Sequence, residues 1–347
     1  MTDMDAKRRI IDLLEEKDEA TLRILMLRAD AVRRRFLGDA IHLRGLIEFS
    51  NHCRRDCLYC GLRRSNKNLV RYRMAPREIF AQAAEAANLG FRTVVLQSGE
   101  DPAYTIRALC SLVREIKSEL SLAVTLCVGE RTREDFLRLK QAGVDRYLLR
   151  FETSDPCLFR ILKPDSDYER RFRCLEWLKA IGFQVGSGNI VGLPGQTMES
   201  LAEDILKFRE MRLDMVGLGP FIAHPDTPLQ GSRNGSLDLA LRVVALTRIM
   251  TRTAHMPATT ATGTIDREGR QKALQCGANV LMPNLTPVRY RRHYMIYPDK
   301  VGVGEDPARC RSRAESMAHS LGRTVGLDEG HSLGPRSAGL DVRKHHA

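Results

Sequence analysis

The chain has 347 residues, 43% of them hydrophobic, enough for one large α/β domain or two ordinary ones. Its formal net charge of +12 suits an anionic ligand or an acidic partner, nucleic acid included, although 28% charged residues of mixed sign also describe an ordinary solvated surface. No apolar run approaches the ~20 residues of a membrane span, residues 1–16 lack the apolar stretch of a signal peptide, and the nine cysteines stand mostly alone, so the expected setting is the reducing cytoplasm.

An amphipathic helical region from about residue 5 to 36 comes first, and strand-like and helix-like segments then alternate. Strands are predicted at 41–49, 93–97, 122–127, 146–150, 184–190, 215–219, 258–261 and 279–282. Helices are predicted at 76–89, 105–119, 131–142, 169–181, 198–211, 237–251 and 266–275. Gly90, Gly143 and Gly182 each fall just past a helix and just before a strand, where a left-handed cap is wanted. Regular βα alternation of this length predicts a complete (β/α)8 TIM barrel, with a doubly wound open sheet as the competing architecture. The expected organisation is an N-terminal helical extension at 1–38, the barrel at 39–300 and a C-terminal segment at 301–347. From Leu321 onward the Gly, Ser and basic composition predicts a loosely ordered tail.

The first strand runs directly into Cys53, Cys57 and Cys60, at spacings of x3 and x2. Structural zinc and ordinary 4Fe–4S sites both take a full set of protein ligands. No other cysteine lies nearby, and His52 is adjacent to Cys53, a poor place for another ligand. Three thiolates on a cubane would leave one iron open, which suits an enzyme whose cofactor must bind metal directly. A three-cysteine zinc knuckle, or simply buried thiols, are the competing readings. The loop resembles that of the radical S-adenosylmethionine (SAM) superfamily, in which the amine and carboxylate of SAM chelate the open iron. Tyr59, before the last cysteine, matches the aromatic that packs by the adenine.

Other strand ends carry further likenesses. Ser98-Gly99-Glu100 resembles the superfamily's Gly-Gly-Glu segment, whose backbone receives the methionyl amine, with Ser98 in place of the first glycine. Glu152, emerging from an apolar strand, needs hydrogen-bond donors that ribose hydroxyls would supply, unless Arg150 is its structural partner. Arg171 resembles the arginine that pairs with the methionyl carboxylate. Gly188-Asn189-Ile190-Val191-Gly192-Leu193-Pro194-Gly195-Gln196 fits the G-x-I-x-G-x-x-G-Q motif, which places Ile190 at the adenine.

Beyond the superfamily, the stretches at 49–69, 96–102, 214–228 and 282–287 resemble the FeFe-hydrogenase maturase family HydE. That resemblance implies a 4Fe–4S cluster and SAM at the top of the barrel, with reductive cleavage yielding a 5′-deoxyadenosyl radical. The radical would act on a cysteine-bearing iron carbonyl cyanide precursor, with Arg150, Met215, Thr259, Thr260 and Tyr294 lining the cavity. Some family members hold a second 2Fe–2S cluster on three cysteines near the C-terminus. Here Gly302, Cys310 and Arg313 occupy those positions, so no second cluster is expected. Handover to the maturase HydF and supply from HydG are implied partners. Methylornithine synthase and biotin synthase share the architecture and remain alternatives. For biotin synthase only Cys127 sits where a sacrificial cluster would need ligands. A basic nucleic-acid binder is disfavoured by only 6% aromatics and the lack of any RNA-binding motif. Arg54, Arg55, Arg63, Arg64, Arg71 and Arg73 around the loop equally fit an anionic substrate or acidic partner.

Overall fold

In the computed structural model, which describes residues 3–333, helix α1 (Asp3–Glu15) ends just before Asp18, whose carboxylate accepts from the Thr21 amide and starts α2 (Glu19–Leu37). Their apolar faces, including Ile10, Leu14, Leu25 and Ala29, join the same buried cluster as the sheet. Helix α1 lies against α8 (Met198–Glu210) and α9 (Leu237–Thr251), and α2 lies against α9.

The strands are β1 (Ala40–Leu43), β2 (Gly45–Ser50), β3 (Thr93–Ser98), β4 (Ala123–Cys127), β5 (Arg146–Leu148), β6 (Gln184–Ser187), β7 (Ile190–Val191), β8 (Met215–Val216), β9 (Gly219–Pro220), β10 (Val280–Leu281) and β11 (Thr324–Val325). A parallel sheet runs β2-β3-β4-β5-β6-β8, with smaller parallel sets β10-β1-β11 and β7-β9. Parallel bridges continue beyond its edges: Met215 to His255, Pro257 to Val280, and Asn284 back to Leu46 of β2. The fold is α/β and TIM-barrel-like, with α3 (Pro76–Asn88), α4 (Ile106–Leu120) and α5 (Arg133–Gln141) following β2, β3 and β4, and α6 (Pro156–Leu162) and α7 (Tyr168–Ile181) both following β5. Helix α4 shows why these segments are helical. Thr105 caps it through the Ala108 amide, and Leu109, Leu112, Val113 and Ile116 recur at helical spacing on its buried face. Gly90, Gly143 and Gly182 all have positive φ, as the cap reading required. At the strand ends Phe151 stacks between Phe172 and Phe208, and a buried phenylalanine contributes roughly 2 kcal/mol through its apolar area.

Several expected elements differ. The first strand breaks at Arg44, because β1 pairs with β10 and β11 whereas β2 pairs with β3. The strand expected at 258–261 is displaced: pairing occurs at His255 and Pro257, and Thr260 begins α10 (Thr260–Ile265). Its threonines read as strand because they are β-branched, but the Thr262 hydroxyl donates to the Thr259 carbonyl and supports a helix. Helix α11 (Gly269–Gln275) follows, and α6, α12 (Val288–Arg291) and α13 (Pro307–Ser320) were not read from the sequence.

The expectation of an irregular tail from Leu321 is corrected over 321–333, while 334–347 lies outside the described residues. Strand β11 pairs with β1, and Arg323 donates to the carbonyls of Asp39, Leu274 and Ala278. The Glu329 and Gly330 carbonyls accept from the buried arginines Arg146 and Arg44. Main-chain bonding to distant arginines leaves no mark in local composition. No helix among the described residues is long and apolar enough to cross a membrane.

Candidate functional site

Where β2 ends, buried Asn51 pins the following loop. Its amide nitrogen donates to the carbonyls of Val70 (2.8 Å) and His293 (2.7 Å), and its oxygen accepts from the Tyr72 amide. Arg71 donates to the carbonyls of Asn51, Leu62, Arg63 and Asn66, and Asp56 gathers the Arg63 guanidinium together with the amide and hydroxyl of Ser65. The cysteine loop is thus tied across its own width rather than left floppy. Lysine would not serve at position 71, because only a planar fork reaches this many carbonyls at once.

Cys53, Cys57 and Cys60 are all half-buried and close enough to perturb one another. Burial pushes the Cys53 thiol up to about 11, opposed by the Arg55 and Glu100 amides, which both donate to its sulfur at 3.4 Å. Burial also raises Cys57 and Cys60, with Cys57 and Cys53 adding to the effect on Cys60. Three neighbouring thiols in a poorly solvated loop resist ionising together unless a cationic centre takes their charge. Among the described residues no three His, Cys, Asp or Glu converge as ligands of a single ion do. The donor set, with amide hydrogen bonds to one sulfur, fits a multi-iron cluster.

Beside the loop lies an ion network. Arg55 donates to Glu100 (2.7 Å) and Glu130 (2.9 Å), and Arg171 sits 2.9 Å from Glu130 and 3.6 Å from Glu100. Burial alone would raise Glu100, but Arg171 and Arg55 outweigh it and bring its carboxyl down to about 2. Arg171, expected at the methionyl carboxylate, is already engaged by two protein carboxylates. Gly99 has a protein reason to be glycine: a Cβ there would meet the His52 carbonyl at 2.3 Å and the Cys53 Cβ at 2.8 Å. The Ser98 hydroxyl turns to the Gly99 carbonyl. The motif glycines likewise answer to the backbone, since a Cβ on Gly188 would meet the Gly217 carbonyl at 1.8 Å, and one on Gly192 the Gly235 Cα at 2.6 Å. Space for an adenine is therefore not needed to explain them.

Tyr59 and Ile190 come together on one apolar cluster with Leu158, Leu162, Leu193 and Phe221. Beside them Glu152 holds a left-handed φ of 71°, a strain that non-glycine residues rarely bear. Its amide donates to the Gly188 carbonyl and its carbonyl accepts from Ile190. Arg150 lies 3.0 Å from Glu152 Oε2, yet out of hydrogen-bonding line, and donates instead to the Asn189 carbonyl. Glu152 Oε2, Arg150 Nε, Asn189 Oδ1 and Thr259 Oγ1 are buried polar atoms without a hydrogen-bond partner. Orphans of this kind cost free energy unless a ligand satisfies them.

Deeper in the fold, Tyr294 is buried under the Lys300 ammonium and accepts from Gln97, and Lys300 pairs with Glu48, which also accepts from Asn284. Thr260 bonds Tyr297. Met215 accepts from Arg44 at 2.9 Å and so belongs to the floor end, apart from Thr259 and Arg150. Gly302, Cys310 and Arg313 do gather, but around Glu305: Arg313 pairs with it and the Cys310 thiol lies 3.6 Å from it. Cys127 is half-buried, and burial pushes its thiol up to about 12. Sequence reasoning missed Glu130, Asn189, Asp204 and Lys163. Lys163 is buried near enough to Cys57 to favour its thiolate. An acid, an amide or a lysine in an unremarkable stretch carries no signal until folding brings it to the loop.

The radical SAM superfamily profile matches residues 47–208. The chain is 52% identical over 302 residues to the FeFe-hydrogenase maturase subunit HydE of Thermotoga maritima, covering 87% of this chain and 86% of that protein. It is 30% identical over 292 residues to 3-methylornithine synthase of Methanosarcina barkeri, covering 83% and 80%. A crystal structure of methylornithine synthase (PylB) superposes with a TM-score of 0.80 at 24% identity over 94% of both chains.

Proposed function

The chain belongs to the radical SAM superfamily and, within it, to the HydE family of FeFe-hydrogenase maturases, and from that premise we propose that its mouth holds a 4Fe–4S cluster and SAM and acts on a cysteine-bearing iron carbonyl cyanide substrate. The observation that carries this is the gathering of three neighbouring cysteine thiols in one half-buried loop near Glu152, which holds a left-handed φ and has one oxygen that accepts no hydrogen bond. When bound, the pair of cofactors supplies reductive cleavage of SAM to methionine and a 5′-deoxyadenosyl radical.

The protein's own part is binding and placement. Cys53, Cys57 and Cys60 would hold three corners of the cluster, leaving the fourth for the methionyl amine and carboxylate. The Ser98-Gly99-Glu100 backbone receives the amine, and Arg171 strengthens the positive side of the carboxylate while held by Glu130. Tyr59 and Ile190 form the apolar wall for the adenine, and Glu152 Oε2 accepts from the ribose. Arg150 and Thr259, whose Nε and Oγ1 lack hydrogen-bond partners, would face the substrate's charged end, Thr260 and Tyr294 would line what lies beyond, and Met215, bonded to Arg44, would mark its far end at the floor.

In this reading the bridged strands make a complete (β/α)8 barrel over 39–300, flanked by 1–38 and 301–347, in a cytoplasmic protein. Only Cys310 stands at the second-cluster position, paired with Glu305 and Arg291, and no second cluster forms. Reconstituted protein should therefore hold about four irons per chain, and about six would contradict this. HydG and HydF are the proposed supplier and recipient.

The 30% identity to a methylornithine synthase keeps a second reading testable. Anaerobic reconstitution, reduction and chromatography of 5′-deoxyadenosine decide between them. We expect cleavage that lysine does not stimulate and that the iron carbonyl cyanide substrate does. Stimulation by lysine would favour the amino-acid mutase, and failure to cleave SAM at all would sink both.

A further inference from the structure

We propose that the basic face outside the cysteine loop is the docking surface for a small acidic one-electron carrier protein, and that electrons enter past Cys53. This rests on the radical SAM reading, because breaking the sulfonium S–C bond takes up one electron, and the proposed donor is oxidised by that one electron. A concave patch of about 270 Å³ lies against the loop, lined by His52, Cys53, Arg54, Arg64, Arg71 and Arg73. Cys57 and Cys60 do not line it, so Cys53 is the ligand thiol nearest an approaching partner there.

The charge on this face points outward. Arg54, 3.2 Å from Glu100, and Arg64, 3.7 Å from Asp165, still keep 52% and 60% of their side chains exposed, and Lys67, Arg73 and Arg77 are exposed as well. Arg71 bonds only main-chain carbonyls, so its charge is not cancelled by those contacts. The acids at the loop only partly offset this charge: Asp56 pairs with Arg63, Asp101 with Arg73, and Glu100 with both Arg54 and Arg55. The face continues onto exposed Arg292 and onto Arg289, which is exposed but paired with Glu78, because Tyr290 between them stacks on Tyr72.

An exposed apolar side chain adjoins it: Val70 is 59% exposed next to Arg71. An apolar point beside a ring of one charge is what a small, transient redox encounter uses: attraction sets orientation and arrival rate, and a modest contact area lets the partner leave. Nucleic acid would meet the same charge, but the arginines here ring a shallow concavity over a ligand thiol rather than form a track, and His52 is the one aromatic ring in its lining, too few for successive bases to stack.

The test is calorimetric binding of a purified, oxidised acidic flavodoxin to the reconstituted protein. Two charge reversals of equal size are compared: Arg64→Glu with Lys67→Glu on the face, and Arg23→Glu with Arg28→Glu on the exposed side of α2. At low salt we expect the first to weaken binding about tenfold or more and the second less than twofold, with the gap closing as ionic strength rises. Cluster absorbance should match in all proteins, and reduction by a neutral photoreductant should be equally fast. No loss on the face, equal loss on α2, or equally tight binding of a redox-inactive acidic protein of matched charge would overturn the docking surface. A single-stranded oligonucleotide that displaces the flavodoxin and binds more tightly would overturn it in favour of nucleic acid. Failure of the unaltered protein to load a cluster would instead bring down the radical SAM reading, and this proposal with it.

Discussion

Arg146 and Arg150 stand at opposite ends of one strand, and their surroundings separate the floor of the fold from its mouth. Arg146 begins β5, and its guanidinium is used up by the protein: Gln184, the Thr93 hydroxyl, the Glu329 carbonyl and His331 all meet it. Arg150 lies just past the strand end with no hydrogen-bond partner for Nε, and its terminal nitrogen sits 3.0 Å from a Glu152 oxygen that accepts no hydrogen bond either. The floor does have loose ends of its own in Arg44 Nε and His42 Nδ1, but the 324–332 segment closes over most of its polar groups. Buried polar groups that the chain completes hold the structure together. Those it leaves incomplete at a strained strand end await a ligand.

The comparison can be broken most severely at the thiols. Replacing Cys57 by alanine should abolish cluster loading, with iron per chain falling at least tenfold and SAM cleavage lost. The apo-protein's melting point should hardly move, because a buried, repelled thiol contributes little to the fold. Gly99→Ala comes next. Its Cβ would drive into the His52 carbonyl and Cys53, so iron loading should fall several-fold, read by absorbance and iron assay.

A matched pair then sharpens the contrast. Glu152→Gln should weaken SAM binding by about tenfold, in line with losing a charged hydrogen bond of about 1.5–3 kcal/mol, with little change in stability. Arg146→Met should do the reverse, lowering unfolding free energy by about 3 kcal/mol and leaving SAM affinity unchanged. Denaturant melts and equilibrium binding on both variants would expose any exchange of roles.

The smallest effect concerns Asp204, fully buried under β7's approach to the mouth, where it accepts from the amide and hydroxyl of Ser154 and from Asn189. Burial pushes its carboxyl up to about 7, against those hydrogen bonds. In the unfolded chain the group titrates near 4, so the folded state holds the proton through the interval between. Its contribution is therefore complete below about pH 4 and is lost as pH rises to about 7, at up to about 1.4 kcal/mol per pH unit. Asp204→Asn, which Asn189 can accommodate by turning its orphaned oxygen inward, should flatten that slope in melts between pH 5 and 7.

What could be read from sequence was local. The cysteine spacing, the capped amphipathic helices and Gly90, Gly143 and Gly182 each announce their chemistry within a few residues. Thr259 and Thr260 misled, because β-branched residues serve a strand and a helix start alike. Glu130, Lys163 and Asn189 were illegible because their meaning depends on partners distant in the chain. The floor segment was hidden because its bonds are made by main-chain carbonyls, which every sequence possesses.

The central claim is that three thiols hold a cluster whose remaining iron is open to SAM. Electron paramagnetic resonance of the reduced, reconstituted protein, recorded before and after adding SAM, tests it directly. An open iron predicts a reduced 4Fe–4S signal whose shape changes when SAM binds. A signal indifferent to SAM, or no cluster signal at all, would contradict it.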